Sequence, residues 1–129
     1  MRLASLRQRI GNATVEIGVS PGNLVRLQGV LREPGHQREL ASLLESIHLD
    51  AVRLSVSEIV LDLRELSYAS ADFWRSLVLW LRWMQSPPVA KYRLRILANP
   101  LHNWQSIGMS TLSVFGGKHL AVESSAALG

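Results

Sequence analysis

Apolar residues recur at every second position in the first part of the chain. Val15, Ile17 and Val19 follow this period, which predicts a strand. The segment Ser20–Asn23 comes next and places proline and glycine at the two central positions of a type II turn. A second apolar segment, Leu24–Leu31, predicts another strand. We therefore expect a β-hairpin here.

The middle of the chain changes to the periodicity of a helix. Over about His36–Leu54, apolar residues recur at spacings of three, four and seven, which predicts an amphipathic helix. The segment Glu58–Leu63 is a short, nearly continuous apolar run and predicts a strand buried on both faces. After a loop over Arg64–Ala69, a second helix is expected over Ala71–Gln85, because Pro87-Pro88 cannot continue it.

Strands and helices alternate through the rest of the chain. We expect a strand at Tyr92–Leu97, a short helix over residues 103–112, a turn at Gly116-Gly117 and a strand at His119–Glu123. The predicted order, β-β-α-β-α-β-α-β, indicates an α/β fold with a mixed, mostly parallel sheet, an N-terminal hairpin and covering helices. It predicts one domain over residues 13–123 with flexible termini at residues 1–12 and 124–129.

Composition narrows the class of protein. A chain of 129 residues that is 47% hydrophobic and 19% charged suits one globular domain. The absence of cysteine excludes disulfides, thiolate metal sites and a cysteine nucleophile. No apolar run approaches the roughly 20 residues of a membrane span or forms a secretory signal, so we expect a cytoplasmic protein without membrane insertion. The net charge of +4 comes from dispersed Lys and Arg, which favours a solvated basic surface over nucleic-acid binding.

Motifs for catalysis or cofactor binding are missing from the sequence. The four histidines do not stand at metal-ligand spacing, and no phosphate-binding glycine motif or serine nucleophile motif occurs. Gly116-Gly117-Lys118 precedes a strand rather than a helix, which favours a plain turn. Asp62 and Asp72 lie on different elements, with no indication that they meet. The sequence predicts no enzyme, no metal site and no cofactor.

The second predicted helix is apolar on more than one side. One stripe suits packing on a sheet and consists of Phe73, Leu77, Trp80, Leu81 and Met84. Four further apolar residues lie off this stripe, namely Trp74, Val78, Leu79 and Trp83. Either the helix is buried on two sides within the domain, or a partner protein covers its outer face. We favour the partner.

The start of this helix carries a capping pattern. Ser70 is a good N-cap, because its hydroxyl can accept a hydrogen bond from a free backbone N–H group. Asp72 falls in the first turn, where its negative charge suits the helix dipole. Capping alone explains both residues, so their presence does not require a functional role.

The pattern of elements resembles a STAS domain, the fold of bacterial anti-sigma factor antagonists and of sulphate-transporter tails. The resemblance covers residues 13–123. It depends on Leu27-Gln28-Gly29 in the hairpin, the long first helix, and Val60-Leu61-Asp62-Leu63 followed by Leu66-Ser67-Tyr68. In the family, an Asp-Ser-Ser-Gly-type motif opens the second helix, and its four positions fall on Ser70, Ala71, Asp72 and Phe73. The family's phosphorylated serine is therefore alanine in this chain.

The resemblance implies a non-enzymatic signalling or transcription-regulating domain that binds a protein partner, such as an anti-sigma factor or kinase, at the loop and start of the second helix. In this family, phosphorylation breaks that binding. With Ala71 in place, we expect constitutive docking with Asp72 as a fixed charge, and modification of Ser67 or Ser70 is the alternative. The candidate contacts are Ser67, Ser70, Ala71, Asp72, Trp74, Arg75 and Val78. A STAS subunit of a larger, transporter-associated assembly and a homodimeric module remain alternative hypotheses.

Overall fold

The computed structural model describes residues 6–19, 23–31 and 36–124. Its strands are β1 (Leu6–Ile10), β2 (Asn12–Val19), β3 (Leu24–Leu31), β4 (Glu58–Ala69), β5 (Arg93–Ala98) and β6 (Leu120–Ser124). Its helices are α1 (Gln37–Arg53), α2 (Ala71–Gln85) and α3 (Asn103–Gly116). The predicted α/β fold is confirmed, and so are the bounds of β3 and α2.

The six strands form one mixed sheet in the order of the sequence. β1, β2 and β3 pair antiparallel, whereas β3, β4, β5 and β6 pair parallel. Each parallel crossover passes through one helix and moves one strand further in the same direction. Because such crossovers are right-handed, α1, α2 and α3 all lie on one face of the sheet.

The core lies between this helical layer and the sheet. Its largest fully buried side chains include Leu27, Leu44, Ile59, Leu61, Leu77, Trp80, Leu81 and Met84. Full burial of a side chain of this size contributes about 1.5–3 kcal/mol to folding. The α2 stripe predicted from the sequence is buried in this core, and it fixes which side of α2 faces outward.

Ion pairs cover the opposite face of the sheet. Asp62 is buried there beneath Arg26 and Arg64, and Arg95 pairs with both Glu58 and Glu123. The expectation that β4 is buried on both faces holds only in part: on this face Asp62 is buried, whereas Glu58 and Val60 are half-buried. Side chains alternate along the first half of β4, so Ile59, Leu61 and Leu63 face the helices. Leu66 and Ala69, which follow an irregularity in the register with β3, are buried in the same core.

The N-terminal segment expected to be flexible contains a strand. β1 pairs with β2 in a hairpin in which Ile10 stands opposite Ala13, and the connecting Gly11 adopts a positive φ of 57°. Ile10 is fully buried, so this hairpin belongs to the core. The dipeptide Gly11-Asn12 is a hairpin signal in the sequence.

Other element bounds differ by small amounts or lie outside the described residues. α3 continues four residues beyond its predicted end, and β6 includes Ser124, which was assigned to a flexible tail. The turn predicted at Ser20–Asn23 and the break predicted at Arg32–Gly35 involve residues 20–22 and 32–35, which lie outside the described residues, as do residues 125–129 of the predicted tail.

Candidate functional site

β4 runs past the end of its neighbour β5 and is held there by side chains. The pairing with β5 ends at Asp62, yet β4 continues to Ala69. Gln105 Nε2 donates to the carbonyl oxygens of Leu63 at 2.8 Å and Leu66 at 3.2 Å. The loop predicted at Arg64–Ala69 is therefore a strand: it pairs with β3 as far as Ala69. On the side that β5 leaves free, the start of α3 supplies hydrogen-bond donors.

Two further side chains complete this support. Asn99 Nδ2 donates to the carbonyl oxygen of Arg64 at 3.2 Å, and Trp104 Nε1 donates to that of Ser67 at 2.9 Å. The Oε1 atom of Gln105 accepts the Asn99 backbone N–H at 2.7 Å. The first turn of α3 thereby fixes the strand that leads into α2.

Ser67, Ser70 and Ala71 lie at the junction between β4 and α2. Ser67 and Ala71 are exposed, and Ser70 is half-buried. Ser70 occupies the N-cap position, but its hydroxyl makes no capping hydrogen bond, so that part of the prediction was wrong. Its backbone N–H donates instead to the carbonyl oxygen of Leu31 at 2.9 Å, which connects the start of α2 to β3.

Asp72 lies in the first turn of α2, as predicted, and forms an ion pair along the helix. Its Oδ1 atom lies 3.0 Å from Nη1 of Arg75. Ser70 and Asp72 border a recess of only about 10 Å³ beside His36, which holds one water molecule at most. Asp62 lies on the other face of the sheet, so the two aspartates do not form a paired-carboxylate site.

Neighbouring helices cover two of the aromatic residues that lie off the α2 stripe. Trp74 is half-buried between the rings of Phe73 and Trp104, with centroid distances of 5.0 Å and 5.9 Å. Trp83 is half-buried beside His48 of α1, at a centroid distance of 6.1 Å. Burial on two sides within the domain therefore accounts for both tryptophans, and the partner hypothesis no longer depends on them.

Gly108 is the residue that lets Trp74 lie against α3. A Cβ atom added at Gly108 would come within 2.1 Å of the Trp74 ring. Alanine here gains about 1 kcal/mol of helix propensity, but the ring must leave its place. We expect Gly108→Ala to shift the combined emission of the four tryptophans to longer wavelength, because Trp74 becomes more exposed, and to lower the free energy of unfolding by about 1 kcal/mol.

Gly117→Ala would serve as a contrast, since a Cβ atom there meets no neighbouring atom within 4 Å. Its positive φ of 53° costs backbone energy without moving Trp74. An unchanged tryptophan emission spectrum in Gly108→Ala would contradict this packing of Trp74 on α3.

An open groove of about 780 Å³ lies between the outer sides of α2 and α3, with Gln37 at one end. Its α2 wall consists of Ala71, Trp74, Arg75, Val78, Leu79 and Arg82. Its α3 wall consists of Trp104, Ile107, Gly108, Thr111 and Phe115. We call this surface the α2–α3 groove. Leu79 is 39% exposed, Ile107 73% and Phe115 41%, so the groove is apolar and open to solvent.

The structure brings four of the candidate contacts together in this groove: Ala71, Trp74, Arg75 and Val78. It does not bring Ser67, Ser70 or Asp72 into the groove lining. Sequence reasoning missed the α3 wall, because the position of α3 beside α2 depends on the order of the strands, and Phe115 was also expected to lie beyond the end of α3. Its exposed apolar residues were a signal, since Ile107, Val114 and Phe115 form a second apolar stripe at spacings of seven and eight, apart from the side that buries Met109 and Leu112.

Within residues 6–19, 23–31 and 36–124, no group of three or more His, Asp or Glu side chains is placed to hold a metal ion. In the same residues, no helix is both long enough and apolar enough to span a bilayer. No family model matches the sequence, and no curated protein matches it significantly.

Proposed function

We propose that this protein is a non-enzymatic regulatory domain of the STAS type that works in the bacterial cytoplasm by docking a protein partner in the α2–α3 groove. The observation that carries the proposal is the solvent-exposed apolar lining of this groove. Large apolar side chains in a continuous concave surface are a property of binding sites rather than of ordinary protein surface. Arg75 and Arg82 also line it, and arginine is enriched among residues that dominate binding energy.

The position of the groove supports the STAS assignment. Ala71 lines the groove at the first residue of α2, which is where the resemblance places the phosphorylated serine of the family. An alanine cannot accept a phosphate, so docking would be constitutive. Asp72 supplies a fixed negative charge beside this position, and Arg75 partly neutralises it.

Modification of Ser67 or Ser70 is the alternative form of regulation. Ser67 is exposed, whereas Ser70 is half-buried. Mass spectrometry after incubation with a cognate kinase separates the two forms. Constitutive docking predicts an unmodified protein, and a phosphate on either serine would contradict it.

A photo-reactive residue introduced at Ile107 tests the docking site. In native lysate we expect it to capture one protein that the same residue at Thr14, on the opposite face of the sheet, does not. Once that partner is purified, the Ile107→Asp variant should bind it at least about tenfold more weakly than wild type, a loss of about 1.4 kcal/mol. The matched control is Leu49→Asp, which places the same change at an exposed apolar residue of α1.

Equal affinities for Ile107→Asp and wild type would rule out the groove as the docking surface. Light scattering on the purified protein addresses the remaining hypotheses. A dimer that Ile107→Asp converts to a monomer would favour a homodimeric module. A poorly soluble isolated chain would favour a subunit of a larger assembly, because obligate interfaces are more apolar.

A further inference from the structure

We infer that the occupant of the α2–α3 groove is an amphipathic helix of a partner protein, with acidic residues along the flank that faces α2. This inference rests on the proposed docking function and adds the chemistry of the partner. It follows from the shape of the groove and from the distribution of charge on its two walls.

The shape of the groove fits a helix. The α2 wall extends from Ala71 to Arg82, which at 1.5 Å per residue is about 16 Å, or three helical turns. The walls are two adjacent helices, so a third helix can pack its apolar ridge between them. Leu79, Ile107 and Phe115 then provide the apolar surface that covers partner residues spaced three and four apart.

The two walls differ in charge. Arg75 and Arg82 stand seven residues apart on α2, so they lie on the same flank two turns from each other. Arg75 pairs with Asp72, whereas no carboxylate in the described part of the chain lies within ion-pair distance of Arg82. The α3 segment contains no charged residue at all. The complement of this pattern is a helix with carboxylates on one flank only.

The same charges disfavour a second copy of this chain as the occupant. A two-fold dimer brings the same surface of both subunits together. Such an interface would contain Arg75 and Arg82 of both copies. The groove lining offers them no carboxylate, and the neighbouring Asp72 already pairs with Arg75 of its own chain. Like charges placed opposite each other at an interface oppose association.

Three designed helical peptides of about four turns (~14 residues) test the inference. All share one apolar face. The first carries Glu at two flank positions seven apart, the second carries Lys at those positions, and the third carries the two Glu residues on the face opposite the apolar one. We expect the first to bind about tenfold more tightly than the other two in fluorescence anisotropy, with the preference decreasing as salt is added.

Charge reversal in the protein provides the decisive comparison. The double variant Arg75→Glu with Arg82→Glu should invert the preference and bind the Lys peptide most tightly. The control Lys91→Glu with Arg93→Glu makes the same change in net charge at exposed residues outside the groove and should keep the wild-type order. Ile107→Asp should weaken all three peptides by at least about tenfold, since it places a charge in the apolar lining.

Other results overturn the inference in distinguishable ways. Equal affinity for the three peptides, still reduced by Ile107→Asp, would retain the docking groove and reject an acidic partner. Absence of binding by every peptide would reject a helical occupant, and the proposed function would then depend on the photo-crosslinking result. A dimer dissociated by Ile107→Asp would assign the groove to a second copy. Tighter binding of a single-stranded oligonucleotide than of the acidic peptide would assign it to nucleic acid.

Discussion

Replacement of Gln105 by methionine is expected to lower the free energy of unfolding by about 3–5 kcal/mol. The side chain is fully buried and bonds three backbone groups: the carbonyl oxygens of Leu63 and Leu66 and the N–H of Asn99. Methionine has nearly the same shape but forms none of these bonds. Each buried group left without a partner costs about 1–3 kcal/mol, so the loss follows from hydrogen bonding and not from a cavity.

Urea unfolding followed by circular dichroism measures this loss. The control is Gln37→Met, the same change at an exposed residue, which we expect to stay within about 0.5 kcal/mol of wild type. Amide hydrogen exchange gives a local readout, because the Asn99 N–H should lose protection in Gln105→Met. A loss below about 1 kcal/mol with Asn99 still protected would mean that β4 does not depend on this side chain for its last residues.

Gln105 also illustrates what the sequence could not predict. Glutamine is mostly found exposed in proteins, so its identity indicates solvent exposure, although Gly108, Met109 and Leu112 lie on the same side of α3. Gln105 is buried because β4 continues past the end of β5, so that the carbonyl oxygens of its last residues need donors from another element. This difference in strand length is a tertiary mismatch that no single segment reveals. The same mismatch explains why Arg64–Ala69 was expected to be a loop. Hydrophobic periodicity reports on the structure of a single segment. The last part of β4 instead depends on its pairing with β3, on the earlier end of β5 and on the side chains of α3.

The sequence was sufficient to predict elements whose bounds depend on their own residues. The α2 helix has the predicted bounds, because Pro87-Pro88 ends it and its apolar stripe has one partner, the sheet. Half of the groove could be identified for the same reason, since Trp74 and Val78 lie off that stripe. The α3 wall could not, because Ile107 and Phe115 reach the groove only through the order of strands, which places α3 beside α2.

Asp62 is the group for which we expect the second large effect. It is buried on the sheet face opposite the helices, and its two carboxylate oxygens accept hydrogen bonds from Nε and Nη2 of Arg64, both at 3.0 Å. Arg26 lies 3.6 Å away on β3. Burial by itself raises the pKa of Asp62, but the hydrogen bonds and the charges of Arg64 and Arg26 outweigh it. The pKa therefore lies below its ordinary value.

We expect Asp62→Asn to lower the free energy of unfolding by about 2–4 kcal/mol at neutral pH. The amide cannot accept both guanidinium hydrogen bonds, and it leaves Arg26 and Arg64 close together without a counter-charge. The matched control is Asp50→Asn, which removes an exposed ion pair with Arg53 and should cost less than about 1 kcal/mol.

The pH dependence gives this prediction a specific signature. A carboxylate whose pKa is lowered on folding stabilises the protein fully above its unfolded-state pKa, and this contribution disappears as the pH falls through the folded-state value. Wild type should therefore lose the Asp62 contribution as the pH falls below about 4, and the difference between wild type and Asp62→Asn should shrink in that range. Unfolding curves recorded from pH 7 down to pH 2 measure it. If the difference in unfolding free energy stays constant with pH, the asparagine acts through packing. The charges of Arg26, Asp62 and Arg64 then do not stabilise the face of the sheet opposite the helices.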